Sequence, residues 1–207
     1  MRLTYPVDDL FSSPSHAKVL RALTALPEGM TAGVREIGRR AGVSHPTASR
    51  VLDSLRRQGV VHVKRSPAND AYLLNANHDA VEVLTELFLW ERSELSTVVA
   101  LLTREIVTRA PWVSQAYLFG SAARGEMEVH SDLDVACVCP PGCVPEMEAI
   151  GAAIDDVIAE RLGNHLGLLI GTRPVEEMTR VRGRTVALWR QVEAEGIQLI
   201  PATPKDA

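Results

Sequence analysis

The chain has 207 residues, with 22 Lys+Arg against 26 Asp+Glu and a formal net charge of −4. That length makes one large or two small domains, and 46% hydrophobic with 23% charged residues exclude disordered, collagen-like and low-complexity chains. No apolar run approaches the roughly 18 residues of a bilayer span, Asp8 and Asp9 interrupt the place of a secretory leader, and Cys137, Cys139 and Cys143 are an odd number within seven residues, so a cytoplasmic protein with neither membrane contact nor a disulfide framework is expected.

The charge is unevenly held. Residues 1–76 carry eleven Lys/Arg and six Asp/Glu, net +5, while residues 77–207 carry eleven against twenty, net −9. A first helix is predicted over 15–26 from the helical spacing of Ala17, Val19, Leu20, Leu23 and Leu26, and a second over 33–41 before Gly42, a residue suited to a left-handed cap. The third starts after Ser44, an N-cap with Pro46 in the first turn, and runs to about Gln58. Its core stripe is Ala48, Val51, Leu52 and Leu55, which turns Thr47, Ser49 and Arg50 outward. Residues 60–64 and 71–75 read as a hairpin whose polar tip is 65–70.

Three short helices followed by a hairpin make a winged helix-turn-helix, and residues 31–64 (TAGVREIGRRAGVSHPTASRVLDSLRRQGVVHVK) resemble the DNA-binding part of MarR-type regulators. The resemblance implies double-stranded DNA as a partner, with the third helix in the major groove. Ser44, His45, Thr47, Ser49 and Arg50 then lie nearest base edges or phosphates, and Lys64 and Arg65 reach backbone from the wing. The alternative is a helix-turn-helix used only for protein contacts.

Residues 77–109 hold a long helical pattern without Gly or Pro. Leu84, Phe88, Leu95, Val99, Leu102 and Ile106 recur near every 3.5 residues, with Glu91 as the polar exception. A stripe of that length needs a partner, expected to be a second copy in a homodimer, with packing inside the chain as the alternative.

From 113 onward the pattern changes to strand, Gly120-Ser121, Arg124-Gly125, and a second strand entered through Ser131-Asp132-Leu133-Asp134. The segment 117–138 (YLFGSAARGEMEVHSDLDVACV) resembles the signature of minimal nucleotidyltransferases in the DNA polymerase beta superfamily. Alternation along the strand sends Asp132 and Asp134 the same way, Cα atoms about 6.6 Å apart, as two carboxylates sharing Mg²⁺ require. The resemblance implies a nucleoside triphosphate as ligand or substrate, with Asp132 and Asp134 as catalytic metal ligands. Gly120 gives backbone access to phosphate, Ser121 caps the next helix, Ser131 orients the Asp132 loop, and Arg124 takes phosphate or pairs with Glu126. Cys137 and Cys139 fall on the opposite strand face and cannot join this site.

A helix over 144–162, a strand over 165–170, helices over 174–181 and 183–195 and a last strand over 196–200 continue that likeness. One position departs from it: where active relatives carry a third carboxylate on the strand after the long helix, this chain has Gly167. The loss bears on catalysis more than on binding, although His165 could serve as a neutral base. The expected organisation is therefore α+β: a winged helix-turn-helix over 1–76, a linking helix over 77–109 and a nucleotidyltransferase-like α/β domain over 110–207. The expected function is a regulator whose second domain binds nucleoside triphosphate with Mg²⁺ and modulates DNA binding. Its rivals are an active transferase moving a nucleoside monophosphate to a protein or small-molecule hydroxyl, and an interaction module in which both folds are vestigial.

Overall fold

A computed structural model describes residues 13–27, 29–65, 70–180, 183 and 185–201; the leader reading of 1–11 and most of the hairpin tip lie outside them. The chain divides between Arg92 and Ser93 into two compact units.

The first unit contains α1 (Pro14–Thr24), β1 (Ala32–Gly33), α2 (Val34–Arg40), α3 (His45–Arg57), β2 (Val61–Lys64) and β3 (Ala71–Leu74). The order β1-β3-β2 makes a small antiparallel sheet, of which the two-residue β1 is too short to leave a periodic trace in the sequence. Gly42 is left-handed at φ 61° and turns the chain between α2 and α3. The two helices cross closely at Gly38, where a Cβ would stand 3.3 Å from that of Ala48. Ser44 caps α3 by accepting from the Thr47 amide at 3.4 Å. Ala48, Val51, Leu52 and Leu55 are buried as expected, the last three in a core shared with α1.

The helix α4 (Asp79–Arg109) runs through both units. Much of its apolar stripe packs inside the chain: Phe88 is buried in the winged core with Leu84 packed against it. Leu102 and Ile106 are buried in the second core, flanked by Leu95 and Val99. Glu91, the polar interruption, also faces inward. Its carboxylate accepts from Arg21 Nε at 2.5 Å and Nη2 at 2.8 Å, and the Arg21 guanidinium lies 5.5 Å from the Phe88 ring centroid.

The second unit holds β4 (Gln115–Phe119), α5 (Gly120–Arg124), β5 (Leu133–Val138), α6 (Val144–Leu162), β6 (Leu166–Gly171), α7 (Val175–Met178), α8 (Val186–Glu195) and β7 (Ile197–Ile200). The sheet order is β6-β5-β4-β7, with β5 and β6 parallel and the other pairs antiparallel. Leu133, Val135 and Cys137 bury one face of β5 in the core shared by α4 and α6. Ala136 and Val138 face α7 and α8 with Trp189. Cys137 and Cys139 thus lie in the core away from the acid pair, and burial pushes the Cys137 thiol up to about 12. No described helix is long and apolar enough to cross a membrane.

Glu94 is also buried on α4, and burial raises its carboxyl above the ordinary 4.5, with Arg161 partly offsetting that. A raised folded-state value means that the Glu94 contribution to stability is most favourable below pH 4.5 and is lost as pH climbs through that raised value. Glu94→Gln is therefore expected to stabilise the protein at pH 7, the gain vanishing toward pH 4 where the native carboxyl is protonated too; thermal melts at both pH values check it.

Candidate functional site

In the winged unit the sequence singled out a patch of side chains, and the described structure leaves most of it open. Ser44, His45, Arg50, Lys64 and Arg65 are exposed, while Thr47 and Ser49 are half-buried. Ser44 and Thr47 are engaged with each other, hydroxyl to hydroxyl, at 2.9 Å. The basic residues of the unit fall into two classes. Arg39 and Arg40 share Glu36, whose carboxyl they hold down at about 2, and Arg56 and Arg57 share Asp53, each carboxylate offsetting one of its two positive charges. Arg50, Lys64 and Arg65 have no ion-pair partner among the described residues, so their charge is available to phosphate.

The second cluster is built where β4 ends and β5 begins. Gly120, left-handed at φ 72°, turns β4 into the five-residue α5. Its missing side chain also admits Asp134: a Cβ on Gly120 would collide with Oδ2 of that carboxylate. On the other side Gly167 pairs with Asp134 in the parallel register, and a Cβ there would stand 2.7 Å from Oδ1. Asp134 thus lies between two glycines. Burial first, and then the charge of Asp132, raise its carboxyl above the ordinary aspartate value of 3.8, while Arg124 pulls the other way. Asp132 itself is exposed.

Ser131 and Glu128 close the preceding turn by reciprocal bonds, Glu128 N to Ser131 Oγ at 2.9 Å and Ser131 N to Glu128 O at 3.0 Å. This agrees with an orienting part for Ser131. Asn164 completes the support: buried just past α6, it donates to the Ser131 carbonyl at 2.9 Å. Gly163-Asn164 reads in the sequence only as a helix stop, and nothing in its spacing from Ser131 announced the contact.

Two expectations change. Ser121 does not cap α5: the N-cap is Phe119, no side chain makes a capping bond there, and Ser121 lies inside the helix because Gly120 already takes a helical place. Arg124 takes the ion-pair alternative and doubles it, Nε donating to Glu126 at 2.7 Å and Nη1 to Glu195 at 2.5 Å. His165, meanwhile, is 3.3 Å from Asp155 Oδ1, on α6, where Asp155 also accepts from the Leu166 amide. A carboxylate on the helix side holds that ring, not the acid pair.

The residues fit a magnesium ion of one kind only. Mg²⁺ is commonly bound by one or two carboxylates completed with phosphate oxygens and waters, and Asp132 with Asp134 supply that minimum; a cation would also relieve the cost of holding Asp134 ionised beside Asp132. An all-protein cage is not available, since among the described residues no group of three His, Cys, Asp or Glu is placed to hold a metal.

Residues 13–70 match the model of the MarR family, and residues 100–187 match that of the nucleotidyltransferase domain. No curated protein matches the chain. Among solved structures, a point variant of ZitR from Lactococcus lactis is 19% identical with a TM-score of 0.36, over 46% of this chain and 64% of its own, so the match spans under two thirds of that relative. MepR of Staphylococcus aureus, described as a transcription regulator of a multidrug efflux pump, is 16% identical with a TM-score of 0.37, over 51% of this chain and 79% of its own. PcaV, a transcriptional regulator of Streptomyces coelicolor solved with its natural ligand, is 24% identical with a TM-score of 0.30, over 48% and 77%.

Proposed function

We propose that this chain, a MarR-type winged helix-turn-helix joined to a nucleotidyltransferase domain, regulates transcription as a homodimer and uses its second domain to bind a nucleoside triphosphate with Mg²⁺. The observation that carries the nucleotide part is the state of the acid site: Asp132 and Asp134 stand together while a glycine occupies the place facing Asp134. Two carboxylates suffice to hold a cation on phosphates, and no described side chain stands ready as general base, His165 being held by Asp155.

Asp132 and Asp134 would hold the metal, which supplies neutralisation of phosphate charge. Gly120, lacking a side chain, leaves room for the Asp134 carboxylate, Ser121 offers its hydroxyl from the first turn of α5, and Ser131 fixes the Asp132 loop. Arg124 reaches phosphate by exchanging Glu126 or Glu195 for it, a trade between charge-assisted bonds of similar kind. Bound nucleotide alters DNA affinity only by binding one DNA-competence state better than the other. Two-fold operators favour two copies, and Val83 and Trp90, seven residues apart on α4, remain exposed to take part.

On the DNA side α3 enters the major groove through Ser44, His45, Thr47, Ser49 and Arg50, with Lys64 and Arg65 on backbone. Arg50→Ala and Lys64→Ala are each expected to reduce the slope of log K against log salt by about 1. Arg57→Ala, at the far end of α3 from Ser44, is expected to change the slope less than either. Binding to duplex DNA from the protein's own promoter region, measured over a salt series, distinguishes these outcomes.

The deciding experiment titrates the purified protein with Mg²⁺ and each nucleoside triphosphate, following binding, pyrophosphate release and promoter affinity together. Binding that is lost in Asp132→Asn and Asp134→Asn, with altered promoter affinity and no turnover, is expected. Unchanged promoter affinity at saturating nucleotide overturns the regulatory coupling. Pyrophosphate release would install the transferase reading in its place.

A further inference from the structure

The edge of the second sheet shows a feature that neither DNA binding nor the acid pair uses. The bonds Leu133 N to His165 O and Cys139 N to Gly171 O, with the parallel register between them, put the main chain of odd-numbered β6 residues on the β5 side. The N–H and C=O groups of Leu166, Leu168 and Ile170 therefore point to the open edge. The Leu166 amide is met there by Asp155 at 2.7 Å, and no described residue pairs with Leu168 or Ile170 along that edge.

Such edges are ordinarily blunted by a charge, a proline or a bulge. The β6 sequence, Leu-Gly-Leu-Leu-Ile-Gly, has none of them, and its register against β5 is uninterrupted. Beside it lies an open groove of about 500 Å³ between β6 and α6, walled by Leu166, Leu168, Ile170 and Val144 with Ala152 and Glu148 on the helix side. Small residues on α6 make it: a Cβ on Gly151 would stand 2.5 Å from Leu168 Cδ2, so the helix approaches closely there and leaves room toward the rim. The helix carries Glu146, Glu148, Asp155, Asp156 and Glu160 against a single Arg161.

We infer that the β6 edge docks an extended segment of a partner protein, which adds a strand to the sheet, places alternate apolar side chains in the groove against α6, and carries basic residues that meet its acidic rim. Main-chain pairing to Leu168 and Ile170 gives the alignment, the groove selects apolar side chains at every second position, and the acidic helix selects positive charge, the division of labour expected of strand addition. A second copy of this chain fits less well, because a two-fold pairing of β6 with itself would bring two acidic α6 helices to the same interface.

The test uses the full chain and an acetylated nine-residue peptide in which valine alternates with threonine and each end carries two lysines, so that one lysine of each pair falls on the α6 face, with glutamate in place of lysine as the control. Saturable binding of the lysine peptide alone is expected, with slowed amide exchange at Leu168 and Ile170. Glu148→Lys and Ala152→Arg, both at exposed helix positions, should each weaken it by roughly tenfold, the equivalent of one lost charged or apolar contact. Absence of binding, protection elsewhere, or binding indifferent to both substitutions overturns the proposal. So does concentration-dependent protection of Leu168 and Ile170 without peptide, which would give the edge to a second copy.

Discussion

Glu91→Ala is expected to lower the stability of the winged unit by about 3–5 kcal/mol, the usual result of removing one partner from a buried ion pair. The Glu91 side chain is 2% exposed and that of Arg21 14%, so both charges are largely withdrawn from water, and the guanidinium is also held over the Phe88 ring. Replacing both members together, as Arg21→Met with Glu91→Leu, should recover most of the loss, because the desolvation cost of both charges goes with them. Hydrogen exchange of the α3 core amides reports the opening free energy of that unit by itself. A change below about 1 kcal/mol for the single substitution, the size of an exposed pair, would mean that the pair contributes no more than a surface contact.

Restoring an acid at the empty third place is expected to harm the protein before it helps. Gly167→Asp brings a Cβ to 2.7 Å from Asp134 Oδ1, so Asp134 must turn, and three carboxylates then share one site. Overpacking of this kind costs about 1–3 kcal/mol, and the added charge raises the cost of ionising the cluster. Mg²⁺ should therefore stabilise Gly167→Asp more than it stabilises the parent chain, with Gly167→Ala showing the steric loss alone. Melting temperatures of the three proteins across a Mg²⁺ series decide it; equal stability of Gly167→Asp and the parent without metal would show that Asp134 is free to move aside. Gly167 is better described as one wall of the Asp134 cradle than as a deleted catalytic group.

Features set by near neighbours were legible in the sequence. Ser44 and the four-residue stripe of α3 lie within one helix, as do Asp132 and Asp134 at one strand entrance, and local periodicity suffices for both. Gly120 was legible as a position that must lack a side chain, but what that absence admits, the Asp134 carboxylate, was not. What escaped depends on partners far along the chain: Arg21 with Glu91, Arg124 with Glu195, Asn164 with the Ser131 carbonyl. Hydrophobic spacing says that a face is buried but not what covers it, which is why the stripe of α4 left a second copy and the chain itself both open as its cover. Ser121 was misplaced for a smaller reason, a left-handed glycine entering the helix one residue sooner than the cap rule assumes.

The continuity of α4 limits how the protein can be taken apart. A fragment stopping at residue 76 would discard Val81, Phe88 and Glu91, opening the winged core and removing the carboxylate that accepts from Arg21. One beginning at residue 110 would forfeit Val98, Leu102 and Ile106 from the other core. Excision that respects both has to cut mid-helix, between Arg92 and Ser93, where the two compact units divide. Truncations designed at the helix ends would then report loss of folding and be mistaken for loss of function.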